Sequence, residues 1–285
     1  MIKFLLKQKI IGLIIAGFAF LPGLASAQVS AKAYVIMDAE TKQVVAAANS
    51  DLAWTPASLT KLVTALVVLD AKTKLTKSVA ITKADQIAGG CGHGGSCVKA
   101  VPGVKFTVDG LFHAALMPSA NNAANALARS TGLTPKQFAK KMNAKARSLG
   151  ASNSNFNEPT GMDPRNVITA SDYAKIVSAA FANQYLRTIA QQTSYVLVAA
   201  NNSKYTQTIK NSDKLLDSEG LQMLGAKTGY LNESMYNFAS VLKYNNGHQL
   251  VVVLLGEPHM YSAFDDTKYL AGLVSPKIDV ALAGP

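Results

Sequence analysis

Residues 238–255 read FASVLKYNNGHQLVVVLL, two apolar runs separated by the tripeptide Asn-Asn-Gly. Short apolar runs bounded by turn residues are typical of β-strands, and Asn-Gly between two such runs is a strong signal for a hairpin. The segment therefore predicts two antiparallel strands near the end of the chain, over 238–242 and 249–255.

A second hairpin is predicted near the start of the chain, where the apolar runs 33–37 and 43–46 flank the polar turn 38–41. The residues between the two hairpins have a helical pattern. The sequence therefore predicts an α+β fold, with one antiparallel sheet built from both termini, flanked by helices, and with an inserted helical lobe. No linker-like tract divides the chain, so we expect one catalytic unit over 28–285.

Five helices are predicted along this chain, and one of them begins near Ser119. The Thr-Pro dipeptides at 55–56 and 134–135 each begin a stretch with helical apolar spacing. Gly150 is placed to end the second of these helices. Two more helices are predicted over 169–185 and 261–274, and the last is expected to pack on the sheet.

The first candidate for catalysis is the pair Ser58 and Lys61, near the start of the first predicted helix. Residues three apart on a helix share one face. A serine hydroxyl needs a base beside it, and a lysine can serve where burial and nearby positive charge lower its pKa. The helix N-terminus adds N–H groups that can stabilise an oxyanion. Ser96 and Lys99 have the same spacing in a glycine-rich loop, so spacing alone does not identify the site.

Two further motifs follow in the chain. Ser-x-Asn at 119–121 stands at the start of a predicted helix, where Ser119 could also be only an N-cap. Lys-Thr-Gly at 227–229 stands in a strand context, where the absent side chain of Gly229 would let a substrate backbone approach closely. An ordinary basic turn is the alternative interpretation of this second motif.

The order Ser-x-x-Lys, Ser-x-Asn, Lys-Thr-Gly is the set found in penicillin-binding proteins and class A β-lactamases. The chain resembles the low-molecular-mass penicillin-binding proteins, the serine D-alanyl-D-alanine carboxypeptidases and DD-endopeptidases. The likeness extends over nearly the whole chain after the first 27 residues. Outside the three motifs it includes the segments 105–111, 156–162, 169–172 and 211–216.

This resemblance implies a fold like that of the β-lactamases and transpeptidases and a serine DD-peptidase that acts on D-alanyl bonds of peptidoglycan. Ser58 would be acylated and Lys61 would take its proton. Ser119 and Asn121 would relay protons and hold the substrate amide. The implied partners are peptidoglycan stem peptides, with β-lactams as covalent inhibitors.

The resemblance also implies how the rest of the substrate is held. Lys227 and Thr228, with Gly229, would bind the carboxylate of the substrate or of a β-lactam. The backbone N–H groups of Ser58 and Tyr230 would form the oxyanion hole. No metal and no organic cofactor is implied.

The chain departs from the family pattern in three places. An Ala-Gly pair usually follows Lys-Thr-Gly, but residues 233–237 read ESMYN, so Met235 stands where glycine is expected. An arginine frequent in carboxypeptidase members is absent from 256–258, and we expect neither the extra β-domain nor the anchoring helix of many carboxypeptidases. These departures favour the compact endopeptidase-like branch and put substrate preference in question.

The first 27 residues have the pattern of a signal peptide. A start with three lysines and no acid precedes an apolar run over 10–24, and Ala-Ser-Ala at 25–27 matches a signal-peptidase site. We expect cleavage after Ala27 and a periplasmic or otherwise exported protein; the alternative is a retained membrane helix. No later stretch is apolar enough to span a bilayer, and the tail over 275–282 does not predict a firm membrane anchor.

The net charge of +11 favours an anionic partner such as cell-wall polymer or a membrane surface. Nucleic acid is not expected, because no Lys/Arg-rich run interleaved with aromatic residues is present. A basic charge that only aids solubility is the alternative.

Cys91 and Cys97 are the two cysteines of the chain, and they stand in a glycine-rich segment. In an oxidising compartment such a pair predicts a disulfide, while a metal site with His93 is the alternative. The resemblance places this loop at the rim of the cleft. We hypothesise that the disulfide stiffens the rim and affects acceptance of cross-linked peptide.

Two alternatives to the DD-peptidase remain open at this point. A β-lactamase would need a carboxylate that holds a water for deacylation. Glu158 could suggest one, but its setting before Pro-Thr-Gly resembles the peptidases, where we interpret it as structural or as an edge contact. The second alternative is a catalytically silent peptidoglycan-binding scaffold, which the change at Met235 motivates.

Overall fold

The computed structural model describes residues 29–218, 221–243 and 247–282, with side chains up to residue 274. The predicted signal peptide and the Asn-Asn part of the predicted C-terminal turn lie outside the described residues.

The strands of the described residues fall into one five-stranded sheet and two two-stranded sheets. In chain order the strands are β1 (Ala33–Asp38), β2 (Val44–Ala48), β3 (Ser78–Ala80), β4 (Lys105–Thr107), β5 (Ser194–Ala199), β6 (Asn202–Lys210), β7 (Gln222–Leu231), β8 (Met235–Lys243) and β9 (Gln249–Glu257).

The five-stranded sheet has the order β2-β1-β9-β8-β7 and is antiparallel throughout. Both predicted hairpins are present, as β1 with β2 and β8 with β9. The two ends of the chain meet where β1 pairs with β9, with Ala33 opposite Leu255. The prediction of an α+β fold with one sheet built from both termini is therefore confirmed.

Helices cover both faces of this sheet. In chain order they are α1 (Thr60–Asp70), α2 (Lys83–Ala88), α3 (Val108–Leu116), α4 (Asn121–Ser130), α5 (Pro135–Ser148), α6 (Ala170–Ala182), α7 (Gln184–Ala190) and α8 (Met260–Leu282).

The central strand β9 separates two hydrophobic cores. Val251 and Val253 face the larger core, which includes the helical lobe, while Leu250 and Val252 face a smaller core beneath α8. Because side chains alternate across a strand, one continuous apolar run can face both cores. This burial explains why residues 250–255 are apolar at every position.

Several predicted boundaries differ from the observed ones. Ser58 lies in a 3-10 turn over Ala57–Leu59, and the α-helix begins only at Thr60. The helix predicted over 169–185 is interrupted at Asn183, whose extended backbone ends α6 and whose side chain caps α7. The sequence pattern did not predict the strand pairs β3–β4 and β5–β6, because the first has three-residue strands and the second has many polar residues.

The helix that begins at Pro135 agrees with its prediction. Thr134 and Gln137 form a capping box, and Gly150 follows the helix with a positive φ of 78°. A left-handed glycine satisfies the backbone beyond a helix end at low steric cost. In the part of the chain that the structure describes, no helix has the length and apolar character needed to span a bilayer.

Candidate active site

The centre of the site is the contact between Ser58 and Lys61. Lys61 Nζ lies 2.6 Å from Ser58 Oγ and donates a second hydrogen bond of 2.8 Å to the carbonyl oxygen of Thr160. The Lys61 side chain is almost fully enclosed, with 1% of its surface exposed. The spacing of three residues thus places the amine against the hydroxyl, although Ser58 precedes the α-helix.

The environment of Lys61 favours the neutral amine. Burial lowers the pKa of Lys61 well below the ordinary value for lysine, the positive charge of Lys227 lowers this pKa further, and Glu158 opposes the change. A buried ammonium loses hydration, so the uncharged form is preferred. A neutral amine in contact with a hydroxyl is able to accept its proton.

Two glycines hold the Ser58 turn in place. Ala57 has a positive φ of 48°, an uncommon conformation for a residue with a side chain. A Cβ atom at Gly161 would lie 1.8 Å from the Ala57 carbonyl oxygen, and one at Gly229 would lie 2.9 Å from that of Pro56. The open face of Gly229, which we expected to admit a substrate backbone, is therefore occupied by the backbone of the Ser58 turn.

Ser119 and Lys227 form the second pair of the site. Lys227 Nζ donates hydrogen bonds of 2.8 Å to Ser119 Oγ and 2.9 Å to the Thr228 carbonyl oxygen. Burial lowers the pKa of Lys227 to about 7. Ser119 is not the N-cap of α4, because Ala120 occupies that position without a side-chain bond. Ser119 instead has a φ of 66° and faces the lysine.

Asn121 presents an acceptor that the protein does not use. Its Nδ2 donates a hydrogen bond of 2.9 Å to the Gly89 carbonyl oxygen. Its Oδ1 is buried and has no hydrogen-bond partner among the described residues. Buried polar atoms are nearly always paired, so an unpaired acceptor beside the pairs already described favours a role in binding a ligand N–H.

Thr228 has a neighbour that the sequence analysis did not assign to the site. Ser212 Oγ lies 2.7 Å from Thr228 Oγ1, and the Ser212 backbone N–H donates to the carbonyl oxygen of Met117, two residues before Ser119. Ser212 belongs to the segment 211–216, whose likeness to the family was the only signal in the sequence.

Glu158 organises the loop that faces Lys61. Its carboxylate accepts hydrogen bonds from Thr160 N (2.7 Å), Thr160 Oγ1 (2.6 Å), Gly161 N (2.6 Å) and Asn166 Nδ2 (2.9 Å). These bonds fix the turn whose Thr160 carbonyl accepts from Lys61. The contacts agree with the structural interpretation of Glu158 and give no support to a carboxylate that holds a hydrolytic water.

The edge strand β7 continues from Lys227 to Tyr230, where the aromatic ring is 50% exposed and packs on Tyr236 with ring centroids 4.4 Å apart.

Met235, where glycine was expected, has a positive φ of 55°. Glycine adopts this conformation without strain, which explains the expectation. Asn237, two residues later, donates to the Thr55 carbonyl oxygen at 3.0 Å and so joins β8 to the segment before Ser58.

The structure places the sulfurs of Cys91 and Cys97 at bonding distance, 1.92 Å apart. The second Ser-x-x-Lys pattern lies in this region, and neither Ser96 nor Lys99 is in a helix. Since no helical turn brings the Ser96 hydroxyl to the Lys99 amine, this pattern has a different geometry from Ser58 and Lys61.

Residues 22–259 match the peptidase family S11, described as D-alanyl-D-alanine carboxypeptidase. The chain belongs to this family. The resemblance stated from the three motifs is thereby confirmed, and the S11 match includes every residue of the site described above.

Relatives in the S11 family include both kinds of peptidase. The chain is 31% identical over 216 residues to a D-alanyl-D-alanine endopeptidase from Haemophilus influenzae, covering 75% of this chain and 71% of that protein. It is 33% identical over 228 residues to a D-alanyl-D-alanine carboxypeptidase from Mycobacterium tuberculosis, covering 79% and 74%.

Solved structures agree with the fold. A mutant of a Streptomyces DD-transpeptidase superposes with a TM-score of 0.79 at 27% identity, covering 86% of this chain and 97% of that chain. The structure of a D-alanyl-D-alanine carboxypeptidase from Mycobacterium tuberculosis gives a TM-score of 0.74 at 31% identity, covering 85% and 92%. The transpeptidase-like fold class is therefore confirmed.

Proposed function

We propose that this protein is a serine DD-peptidase that hydrolyses D-alanyl bonds of peptidoglycan peptides through an acyl-enzyme on Ser58. The observation that carries the proposal is the buried Lys61 amine, 2.6 Å from Ser58 Oγ and with a lowered pKa. Nucleophile and base are in contact, which is the arrangement that covalent catalysis by serine requires.

In this mechanism Ser58 Oγ attacks the D-alanyl carbonyl carbon while its proton passes to Lys61 Nζ. The backbone N–H groups of Ser58 and Tyr230 stabilise the oxyanion. The C–N bond then breaks, and the leaving amine receives a proton through Ser119, which Lys227 contacts at 2.8 Å. Water attacks the acyl-enzyme, releases the acid product and restores the Ser58 hydroxyl.

The remaining contacts bind the substrate. Asn121 Oδ1 accepts from the substrate amide, because it is a buried acceptor of the site without a hydrogen-bond partner among the described residues. Lys227 and Thr228 bind the substrate carboxylate, with Gly229 setting the distance between β7 and the Ser58 turn. A β-lactam has the same carboxylate and a reactive carbonyl, so it acylates Ser58 and blocks the site.

We also propose that residues 1–27 are a signal peptide and that residues 28–285 act as one catalytic domain in the periplasm or another exported location. A disulfide between Cys91 and Cys97 suits such a compartment, because cytosolic thiols are kept reduced. The substrate, a cell-wall peptide, is found there as well.

The decisive test is incubation with labelled penicillin, followed by intact mass and peptide mapping. We expect a stable adduct on the peptide that contains Ser58 and none in Ser58→Ala. Rapid loss of the drug without an adduct would favour a β-lactamase, and neither adduct nor turnover would favour a silent scaffold. Muropeptides then separate the two activities, since a carboxypeptidase releases free D-alanine while an endopeptidase converts cross-linked dimers to monomers.

The pH dependence of kcat/KM tests the role of Lys227. This parameter reports the groups of the free enzyme. Because the pKa of Lys227 is about 7, its charge is present below that pH and is lost above it. We expect kcat/KM for a carboxylate-bearing substrate to fall as the pH rises through about 7. In Lys227→Arg the charge persists, so this fall should disappear; an unchanged profile would contradict the assignment.

A further inference from the structure

The loop over 89–98, here called the cysteine loop, folds tightly on itself. Gly95 N donates to the Gly90 carbonyl oxygen at 3.0 Å, and a Cβ atom at Gly95 would lie 2.1 Å from the carbonyl oxygen of Gly89. Cys91 and Cys97 close the loop between these two limbs. The backbone on one limb therefore depends on the position of the other.

Both limbs of the cysteine loop hold Asn121. The backbone N–H of Asn121 donates to the Ser96 carbonyl oxygen at 2.7 Å, and Asn121 Nδ2 donates to the Gly89 carbonyl oxygen at 2.9 Å. Gly89 precedes the first cysteine and Ser96 precedes the second. The ring closure thus fixes the separation of the two carbonyls between which Asn121 is bound.

The same loop contacts the residues on either side of Ser119 and Asn121. Ser96 Oγ donates to the Pro118 carbonyl oxygen at 2.7 Å. Val98 and Asn122 exchange two hydrogen bonds, with Asn122 Oδ1 accepting at 3.2 Å and Asn122 Nδ2 donating at 3.0 Å. The cysteine loop therefore contacts Asn121 and the residues that flank the Ser-x-Asn motif.

These contacts determine which end of the Asn121 amide is available. Since Gly89 occupies Nδ2, the amide is oriented with Oδ1 as its unpaired atom. An amide without its Gly89 partner would be able to rotate and present N–H to the substrate. Two donors do not form a hydrogen bond, so the substrate amide would lose its acceptor.

We propose that the Cys91–Cys97 disulfide is a positioning element for substrate binding, which fixes the Gly89 and Ser96 carbonyls and thereby holds Asn121 in the orientation that accepts from the substrate amide. This inference rests on the proposed function. The disulfide touches no reacting atom and acts only through Asn121.

The test compares the second-order rate of acylation by labelled penicillin in the wild-type chain and in the double variant Cys91→Ser/Cys97→Ser. We expect a fall of about tenfold, the size of one well-placed hydrogen bond. The matched control is His93→Ala, which changes an exposed side chain within the same ring and should leave the rate unchanged. Thermal unfolding of each variant shows whether the chain remains folded.

A double-mutant cycle tests whether the disulfide acts by positioning Asn121 or by a general loss of rigidity around the site. In an Asn121→Ala background, the serine replacements should produce no further loss of rate. A loss of equal size in both backgrounds, or a wild-type rate in the double-serine variant, would overturn the proposal. If the double variant does not fold, the wild-type chain can be compared before and after reduction of its disulfide by a dithiol. We expect the acylation rate to fall on reduction and to recover on reoxidation. An unchanged acylation rate after reduction would contradict the proposal. A wild-type chain without any Ser58 adduct would instead contradict the proposed function.

Discussion

Replacement of Lys61 with methionine is expected to lower the rate of Ser58 acylation by about 10³-fold, within the range of roughly 10²–10⁴ that a positioned base contributes. Methionine fills a similar unbranched volume but cannot accept a proton. The measurement is the second-order rate constant with labelled penicillin. Lys61→Arg should be equally slow at every pH, because arginine stays protonated.

The control for this change is Lys145→Met, which removes a partly exposed lysine paired with Asp70 at the other end of α1. Surface pairs contribute little, so its acylation rate should match that of the wild type. The wild-type rate should also fall as the pH decreases through the lowered pKa of Lys61, because the amine then gains a proton. Acylation of Lys61→Met within tenfold of the wild-type rate would reject Lys61 as the base.

Gly161→Ala is expected to be the most damaging single-methyl change near the site. Its Cβ would meet the Ala57 carbonyl oxygen at 1.8 Å and the Ser58 nitrogen at 3.0 Å, and Gly161 has a positive φ of 90°. Overpacking and the left-handed conformation together should lower the free energy of unfolding by about 3 kcal/mol. Acylation should fall at least about 10²-fold, because a displacement of about 1 Å can have that effect.

Gly132→Ala is the matched control for this change. Gly132 also has a positive φ, 79°, but no atom lies within 4 Å of its Cβ position. Its replacement should lower the free energy of unfolding by only about 1 kcal/mol and leave acylation unchanged. Denaturant unfolding and penicillin acylation measure the two effects. If Gly161→Ala and Gly132→Ala lowered the free energy of unfolding and the acylation rate equally, the contact between Gly161 and Ala57 would not be what holds the Ser58 turn.

The sequence predicted those strands, helices and contacts that depend on residues close together along the chain. Alternating and continuous apolar runs predicted β1, β2, β8 and β9, since each strand must bury its own side chains. Thr134-Pro135 and Gly150 predicted α5 nearly to its ends. The contact between Ser58 and Lys61 was predicted because the two residues are three positions apart.

The hairpin β5–β6 was not predicted, because its exposed face is rich in polar residues and its strands have no single apolar period. Nor did the sequence indicate that Ser58 precedes the α-helix. That turn depends on Ala57, whose φ is positive, and on the close packing of Gly161 against Ala57 and of Gly229 against Pro56. A local pattern does not contain such distant contacts.

The amino-acid sequence by itself determined the fold class and the three motifs, because periodicity and short spacing are local properties. Only the tertiary structure decided that the Thr160 carbonyl accepts from Lys61, that Lys227 contacts Ser119, and that Ser212 meets Thr228. The physical reason is distance along the chain. These contacts join residues on separate elements, and only the packing of those elements around a common core brings them together.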